Sequence, residues 1–276
     1  MEFLQPPTWR EALEARAAHP DAVPIWGGTD VMVEMNFARR RPEALLDLTR
    51  VDELSRWSAE DGWFRIGAGV SYTRVIAELG AALPGLAMAS RTVGSPQIRN
   101  RGTIGGNLAS SSPAGDALPP LFASGAEVEL WSVRGSRRLP VESFVVGPKR
   151  NVLGSDELIA AVWVPRAGGP QQFAKVGTRN AMVIAVCSFA LDVAPGRVGT
   201  CIGSAGPTPI RAREAEAFAE TLGEELPDGA AEHFGELVAA AASPIDDVRG
   251  TAAYRRHALG VLAKRTLTWA WKERVA

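Results

Sequence analysis

Two glycine-rich segments carry the residue types in this chain best suited to chemistry. The first, Gly27-Gly28-Thr29-Asp30, follows the apolar run over residues 23–26 and precedes a helix-compatible run over residues 31–37. A glycine turn between strand and helix exposes backbone N–H groups without Cβ obstruction, and the helix start adds partial positive charge, so phosphate is its natural ligand. A Gly-Gly turn is equally an ordinary tight connection, so this segment alone decides nothing. The second segment, Gln97-Ile98-Arg99-Asn100-Arg101-Gly102-Thr103-Ile104-Gly105-Gly106-Asn107, brings three glycines, a hydroxyl and amides together, with the carboxylate of Asp116 shortly beyond. A large surface loop is the bland alternative. Two such segments in one half of the chain point to a diphosphate ligand.

Rival chemistries find little support. Gly67-Ala68-Gly69 opens a dinucleotide fingerprint, but Tyr72 stands at its third glycine position, where it would obstruct close helix–strand approach. There is no lysine-bearing phosphate loop, no G-x-S-x-G and no H-E-x-x-H. His19, His233 and His257 lie far apart, and Cys187 and Cys201, each in an apolar run, read as buried thiols that cannot build an iron–sulfur or zinc site alone. Lys plus Arg (30) nearly balance Asp plus Glu (31), a net charge of −1 that offers no field for nucleic acid. The longest apolar stretch, residues 181–191, is broken by Ser188 and is shorter than the roughly 18 residues a membrane span needs. The start MEFLQPP lacks a secretory pattern, so a cytoplasmic protein is expected.

The elements that must position these segments follow from periodicity and caps. With 276 residues, two domains are expected, and 28 glycines mark many turns. Thr8-Trp9-Arg10-Glu11 predicts a capped helix to residue 18. Short strands are predicted at residues 23–26, 45–48 and 63–68, a helix capped by Ser71 through Leu79, and a helix from Pro84 toward Val93. Residues 94–120, rich in Gly, Ser, Asn and Pro, read as a long functional loop. A short helix at 118–124, a hairpin turning at Arg134-Gly135-Ser136 and a strand at 158–164 complete this part, and Gly168-Gly169-Pro170 is the candidate linker. Strands at 173–176, 183–193 and 198–204, followed by helices at 211–222, 230–242 and 251–274, predict an α+β unit with its sheet covered on one face.

The order G-G-T-D, Q-I-R-N-R-G-T-I-G-G-N, Asp116, F-A-K (173–175) and Y-R-R (254–256) resembles the FAD-binding medium subunit of the molybdenum hydroxylases, relatives of carbon monoxide and xanthine dehydrogenase. The resemblance spans nearly the whole chain. It implies an α+β fold: an FAD-binding domain of the vanillyl-alcohol oxidase and p-cresol methylhydroxylase type over 1–167, with two α+β subdomains (about 1–54 and 55–167). A C-terminal α+β domain with a three-stranded sheet and helices would occupy 168–276. By the same resemblance, Pro24, Ile25, Trp26, Gly27, Gly28, Thr29, Asp30 and Val31 would wrap the FAD diphosphate through backbone N–H groups, although the charge of Asp30 argues against a phosphate contact by its side chain. Thr103, Ile104, Gly105, Gly106 and Asn107 would form a second cradle, and Asp116 would accept hydrogen bonds from a cofactor hydroxyl or amide. Val93 and Ile159 match cofactor-lining positions, and Lys175 matches a lysine near the flavin, where it could stabilise negative charge. Two residues depart from the family pattern: Trp26 stands where a small residue often precedes Gly-Gly, and Val183 where an acidic residue often stands.

The resemblance further implies an oxidoreductase subunit devoted to electron transfer, with no catalytic acid or base and no metal ligand on this chain. A large subunit would carry the molybdenum cofactor and a small subunit two [2Fe–2S] clusters, assembled as a dimer of heterotrimers without nucleic acid or membrane span. The alternative weighed against it is a self-contained FAD-dependent oxidoreductase, and a third reading is a scaffold that has lost its cofactor. The arginine runs at 39–41, 137–138 and 255–256 could face acidic partners, but solvated charge explains them equally.

Overall fold

A computed structural model describes residues 1–274. The first unit is a three-stranded parallel sheet of order β1-β3-β2, built from β1 (Glu2–Leu4), β2 (Val23–Ile25) and β3 (Ala44–Asp47). Helix α1 (Trp9–Ala18) follows β1, and α2 (Val31–Asn36) follows β2. The Thr8 hydroxyl accepts the Glu11 N–H, as the capping pattern requires. Ala12 and Leu13 of α1 meet Leu46, Leu48 and Leu54 in a small core, whereas α2 buries no residue. Strand β1 escapes sequence reading because three residues before Pro6 carry too short a pattern.

The second unit contains β4 (Trp57–Glu60), β5 (Trp63–Gly67), α3 (Tyr72–Arg74), α4 (Pro84–Thr92), α5 (Pro96–Arg101), α6 (Ile104–Ser110), α7 (Leu118–Ser124), β6 (Glu127–Ser132), β7 (Gly135–Pro140), α8 (Val141–Phe144), β8 (Val145–Gly147), β9 (Arg150–Asn151) and β10 (Leu158–Pro165). Five of its strands form an antiparallel sheet of order β4-β5-β10-β6-β7, with β8 and β9 paired apart. Ser71 caps the predicted helix as expected, but after one turn it widens into a π-helical stretch at Val75–Leu79. The predicted long loop at 94–120 instead holds two short helices, α5 and α6, and the predicted helix at 118–124 is present as α7. Ser95 and Thr103 cap α5 and α6, and Pro96 and Pro119 occupy first-turn positions where a missing N–H costs nothing. The predicted hairpin is present, but its turn is Val133-Arg134, because Gly135 already pairs with Ser132.

The third unit comprises β11 (Gln171–Val176), β12 (Cys187–Ala194), β13 (Arg197–Gly203), α9 (Arg213–Glu220), α10 (Ala230–Ala241) and α11 (Ala252–Arg274). Its antiparallel sheet has the order β11-β12-β13. The strand predicted from residue 183 begins only at Cys187, since residues 180–186 turn out of the sheet, with Met182 at φ +50. The expectation of a sheet covered on one face is also corrected. Phe189, Leu191 and Ile202 pack into a core with Phe234, Leu259, Leu267 and Trp271 of the C-terminal helices. On the opposite face, Phe173, Ala190 and Cys201 join the core of the second unit, with Leu118, Leu121 and Ile66. A Cβ on Gly199 would lie 1.9 Å from the Ala123 carbonyl oxygen, so only glycine lets α7 sit so closely on β13. Among the described residues no helix is long and apolar enough to cross a membrane.

Candidate functional site

A cleft of about 820 Å³ opens where the parallel sheet, α6 and the loop before β12 meet. Its volume lies within the range of small-molecule and cofactor sites, roughly 300–1,000 Å³. Both glycine segments line it, and they touch each other. A Cβ on Gly27 would fall 1.9 Å from the Arg101 carbonyl oxygen and 3.1 Å from the Gly102 nitrogen. The Ser110 hydroxyl donates to Asp30 Oδ2 at 2.6 Å, which ties the end of α6 to the start of α2. Asp30 therefore turns its charge to Ser110.

The two segments offer different chemistry. Among the described residues, the N–H groups of Gly27, Gly28, Thr29 and Asp30 donate to no protein acceptor, leaving four amides free at the cleft wall. Gly28, at φ +70, supplies the left-handed conformation that turns the chain there. In the second segment the amides are already occupied: Ile104 N–H donates to Val70 O at 3.3 Å, Gly105 N–H to Ala68 O at 3.1 Å, Gly106 N–H to Thr103 Oγ1 at 3.0 Å and Asn107 N–H to Thr103 O at 3.0 Å. Its glycines serve close approach instead. A Cβ on Gly105 would strike Ala68 at 2.5 Å, whereas a Cβ on Gly106 would meet only Thr103 Oγ1, at 3.1 Å. Gly106 thus keeps open a part of the cleft that any side chain would fill.

Pro24, Ile25, Trp26, Gly27, Gly28, Thr29, Asp30, Val31, Val93, Thr103, Gly105, Gly106, Asn107, Asp116 and Ile159 all line the cleft. Ile104 does not: it is fully buried in the core of the second unit, where it anchors α6. Lys175 lies one layer behind the wall. Its Nζ donates to Asp116 Oδ2 at 2.6 Å and to the Thr92 carbonyl at 3.2 Å, with both side chains of the ion pair less than a tenth exposed. Thr92 Oγ1 also donates to Asp116 Oδ2, at 3.1 Å. Burial pushes the Asp116 carboxyl above the usual carboxylate range, opposed by the charge and hydrogen bond of Lys175.

Four buried polar atoms on cleft-lining residues lack any protein partner: Arg16 Nε, Tyr72 Oη, Asn107 Oδ1 and Asp116 Oδ1. Such atoms are uncommon in folded proteins and call for a partner from outside the chain. Tyr72 escaped sequence reading, as did Ala68 and Gly69, although the Gly67-Ala68-Gly69 run was a signal. The Trp26 departure finds its explanation here. A Cβ on Gly69 would lie 2.5 Å from the Trp26 indole, so the indole fits because residue 69 has no side chain. Lys149 and Glu34 also border the cleft, paired at 2.6 Å across it, with no signal in their local sequence. Val183 lines the cleft with its neighbours Met182 and Ile184, both of them more than half exposed.

Residues 1–167 match the model of the FAD binding domain in molybdopterin dehydrogenase, and residues 172–270 match that of the CO dehydrogenase flavoprotein C-terminal domain. The chain belongs to this family of FAD-binding dehydrogenase subunits. It is 31% identical to the nicotine 6-hydroxylase medium subunit of Paenarthrobacter nicotinovorans, covering 97% of this chain and 96% of that one. It is 34% identical to the nicotinate dehydrogenase FAD-subunit of Eubacterium barkeri over 78% of each chain. Among solved structures, it superposes on carbon monoxide dehydrogenase from Hydrogenophaga pseudoflava with a TM-score of 0.90 and 29% identity, covering 99% of this chain and 98% of that one. The residues present fit FAD. Four free amides suit a diphosphate, two unpartnered acceptors suit hydroxyl or N–H donors, and Gly106 leaves room. An FAD-containing oxidoreductase subunit is thus the class to which this chain belongs.

Proposed function

We propose that this chain is the electron-transfer subunit of a heteromeric molybdenum hydroxylase, holding FAD between the [2Fe–2S] clusters of a small subunit and an external acceptor. A large subunit would carry the molybdenum cofactor, the whole assembled in the cytoplasm as a dimer of heterotrimers. When bound, FAD supplies redox chemistry that can accept electrons singly and release them as a pair. The chain's own residues bind and orient. The amides of Gly27, Gly28, Thr29 and Asp30 hold the diphosphate, within a wrap running from Pro24 to Val31. Thr103 caps α6 so that Gly105 and Gly106 present a bare wall, and Ile104 fixes that wall to the core. Val93 and Ile159 exclude water, Asp116 Oδ1 accepts a hydrogen bond, and Lys175 holds Asp116 in place while adding positive charge behind it. The row of free amides opposite Gly106 is the observation that carries this reading.

Within the same reading, the first two units are the α+β subdomains of an FAD domain of the vanillyl-alcohol oxidase and p-cresol methylhydroxylase type, dividing near residue 54. The C-terminal domain begins at 168. Cys187 and Cys201 are both buried and unbridged, which agrees with clusters held on another chain. Native purification from the source tests the proposal. Large and small hydroxylase subunits are expected to accompany this chain, and anaerobic substrate is expected to bleach flavin absorbance only when the small subunit is present. A single polypeptide reduced directly by its own substrate would instead establish the self-contained oxidoreductase.

A further inference from the structure

Tyr72 stands where the two glycine segments meet. Its N–H donates to the Gly102 carbonyl at 3.1 Å, and its ring lies against Gly102, where an added Cβ would come within 3.2 Å of Cε2. Gly102 is also the residue against which Gly27 packs, through the Arg101–Gly102 peptide. The phenol is 3% exposed, borders the cleft, and its oxygen has no hydrogen-bond partner. We infer that the Tyr72 hydroxyl is a hydrogen-bond donor to the diphosphate of FAD, an anchor that complements the free amides of the first glycine segment.

The assignment rests on the reading of the cleft as an FAD site and follows from matching donors to acceptors. Of the four unpartnered atoms, Asn107 Oδ1 and Asp116 Oδ1 can only accept from a ligand, so they match hydroxyl or N–H groups. A diphosphate offers acceptors alone, which leaves two donors, Arg16 Nε and the Tyr72 phenol; Arg16 sits on α1 with its Nη1 donating to the Ala22 carbonyl, whereas Tyr72 lies against the second glycine segment itself. Burial, reinforced by the negative charges of Asp116 and Asp30, holds the phenol far above its ordinary titration range, so it remains a donor at any working pH. Its position beside the Arg101–Gly102 peptide places it near the amides of Gly27 and Gly28. An unmet buried hydroxyl is costly, and a phosphate oxygen would relieve that cost.

Tyr72→Phe in the full chain, stripped of flavin, tests this with two measurements. Titration with FAD and with riboflavin, followed by flavin fluorescence, is expected to show FAD binding weakened about tenfold, as for loss of a hydrogen bond to a charged group. Riboflavin, which lacks the diphosphate, is expected to bind both proteins alike. The melting temperature of the flavin-free variant is expected to equal or exceed that of the parent, because Phe removes an unsatisfied hydroxyl and keeps the ring. FAD affinity unchanged within twofold, an equal loss for riboflavin, or a lower melting temperature without flavin would each overturn the inference. Failure of the parent chain to bind FAD would instead overturn the reading of the cleft.

Discussion

Asp116 and Lys175 depend on each other more than on solvent. Each side chain is buried, and the carboxylate is further held by Thr92. Removing one member of a buried pair strands the other charge, at a cost of about 3–5 kcal/mol, whereas removing both costs much less. Asp116→Asn and Lys175→Met are therefore each expected to destabilise the flavin-free chain by about 3 kcal/mol, and the double variant by clearly less than their sum. Urea denaturation of the four proteins measures this, and strict additivity would show that the pair is not coupled. The remaining oxygen, Asp116 Oδ1, stays free for a ligand because Lys175 and Thr92 both engage Oδ2. A similar economy governs Trp26 and Gly69: a bulky residue next to the glycine turn is accommodated by the absence of a side chain on the opposite segment.

The central strands show how an element carries charge inside a sheet. Glu129 on β6 accepts two hydrogen bonds from Arg65 of β5, at 2.9 and 3.0 Å, and one each from the indoles of Trp131 (2.5 Å) and Trp163 (2.6 Å). Burial alone would raise its pKa, but these bonds and the Arg65 charge together hold the carboxyl below its ordinary value of 4.5. A depressed carboxylate contributes stability that is fully present above the unfolded value and is lost as pH falls through the folded one. The stability gap between the parent and Glu129→Gln is thus expected to be constant from neutral pH to about pH 5 and to narrow below about pH 4.5. Melting temperatures across that range check it, and a gap unchanged down to pH 3 would contradict it. Elements with caps or alternating patterns were legible before any coordinates: α1 from Thr8, β10 from its apolar run, and the order of three strands then three helices. Residues 94–120 misled because Gly, Ser and Pro suggest loop, yet Ser95, Thr103 and the prolines are the residues that start short helices. The apolar run at 183–186 looked like strand, but it stands outside β12, and Val183 and Ile184 border the cleft instead, since tertiary position overrides local propensity.

The molecule as a whole is three units, each built on a main sheet, whose meeting creates the site. The first glycine turn comes from the parallel unit, and the bare wall of Gly105 and Gly106 from the antiparallel unit. The Lys175 that steadies Asp116 comes from the first strand of the third unit. That third sheet buries both faces, one against its own helices and one against α4 and α7, so it is built into the molecule rather than appended to it. The glycine segments and Asp116 were legible as motifs, but their contact was not, because nothing local to residue 27 announces the Arg101 carbonyl beside it. Tyr72 was hidden for the same reason: its role depends on which polar atoms the fold leaves without partners. Binding of FAD in the cleft between these segments is tested most directly by Gly106→Trp. A Cβ there meets only Thr103 Oγ1, so the indole projects into the cleft while the backbone is kept. After saturation with FAD and gel filtration, the parent is expected to show flavin absorbance equivalent to one FAD per chain. The variant is expected to show none, with an unchanged far-ultraviolet circular dichroism spectrum. Full flavin occupancy in Gly106→Trp, or an empty parent, would contradict the account.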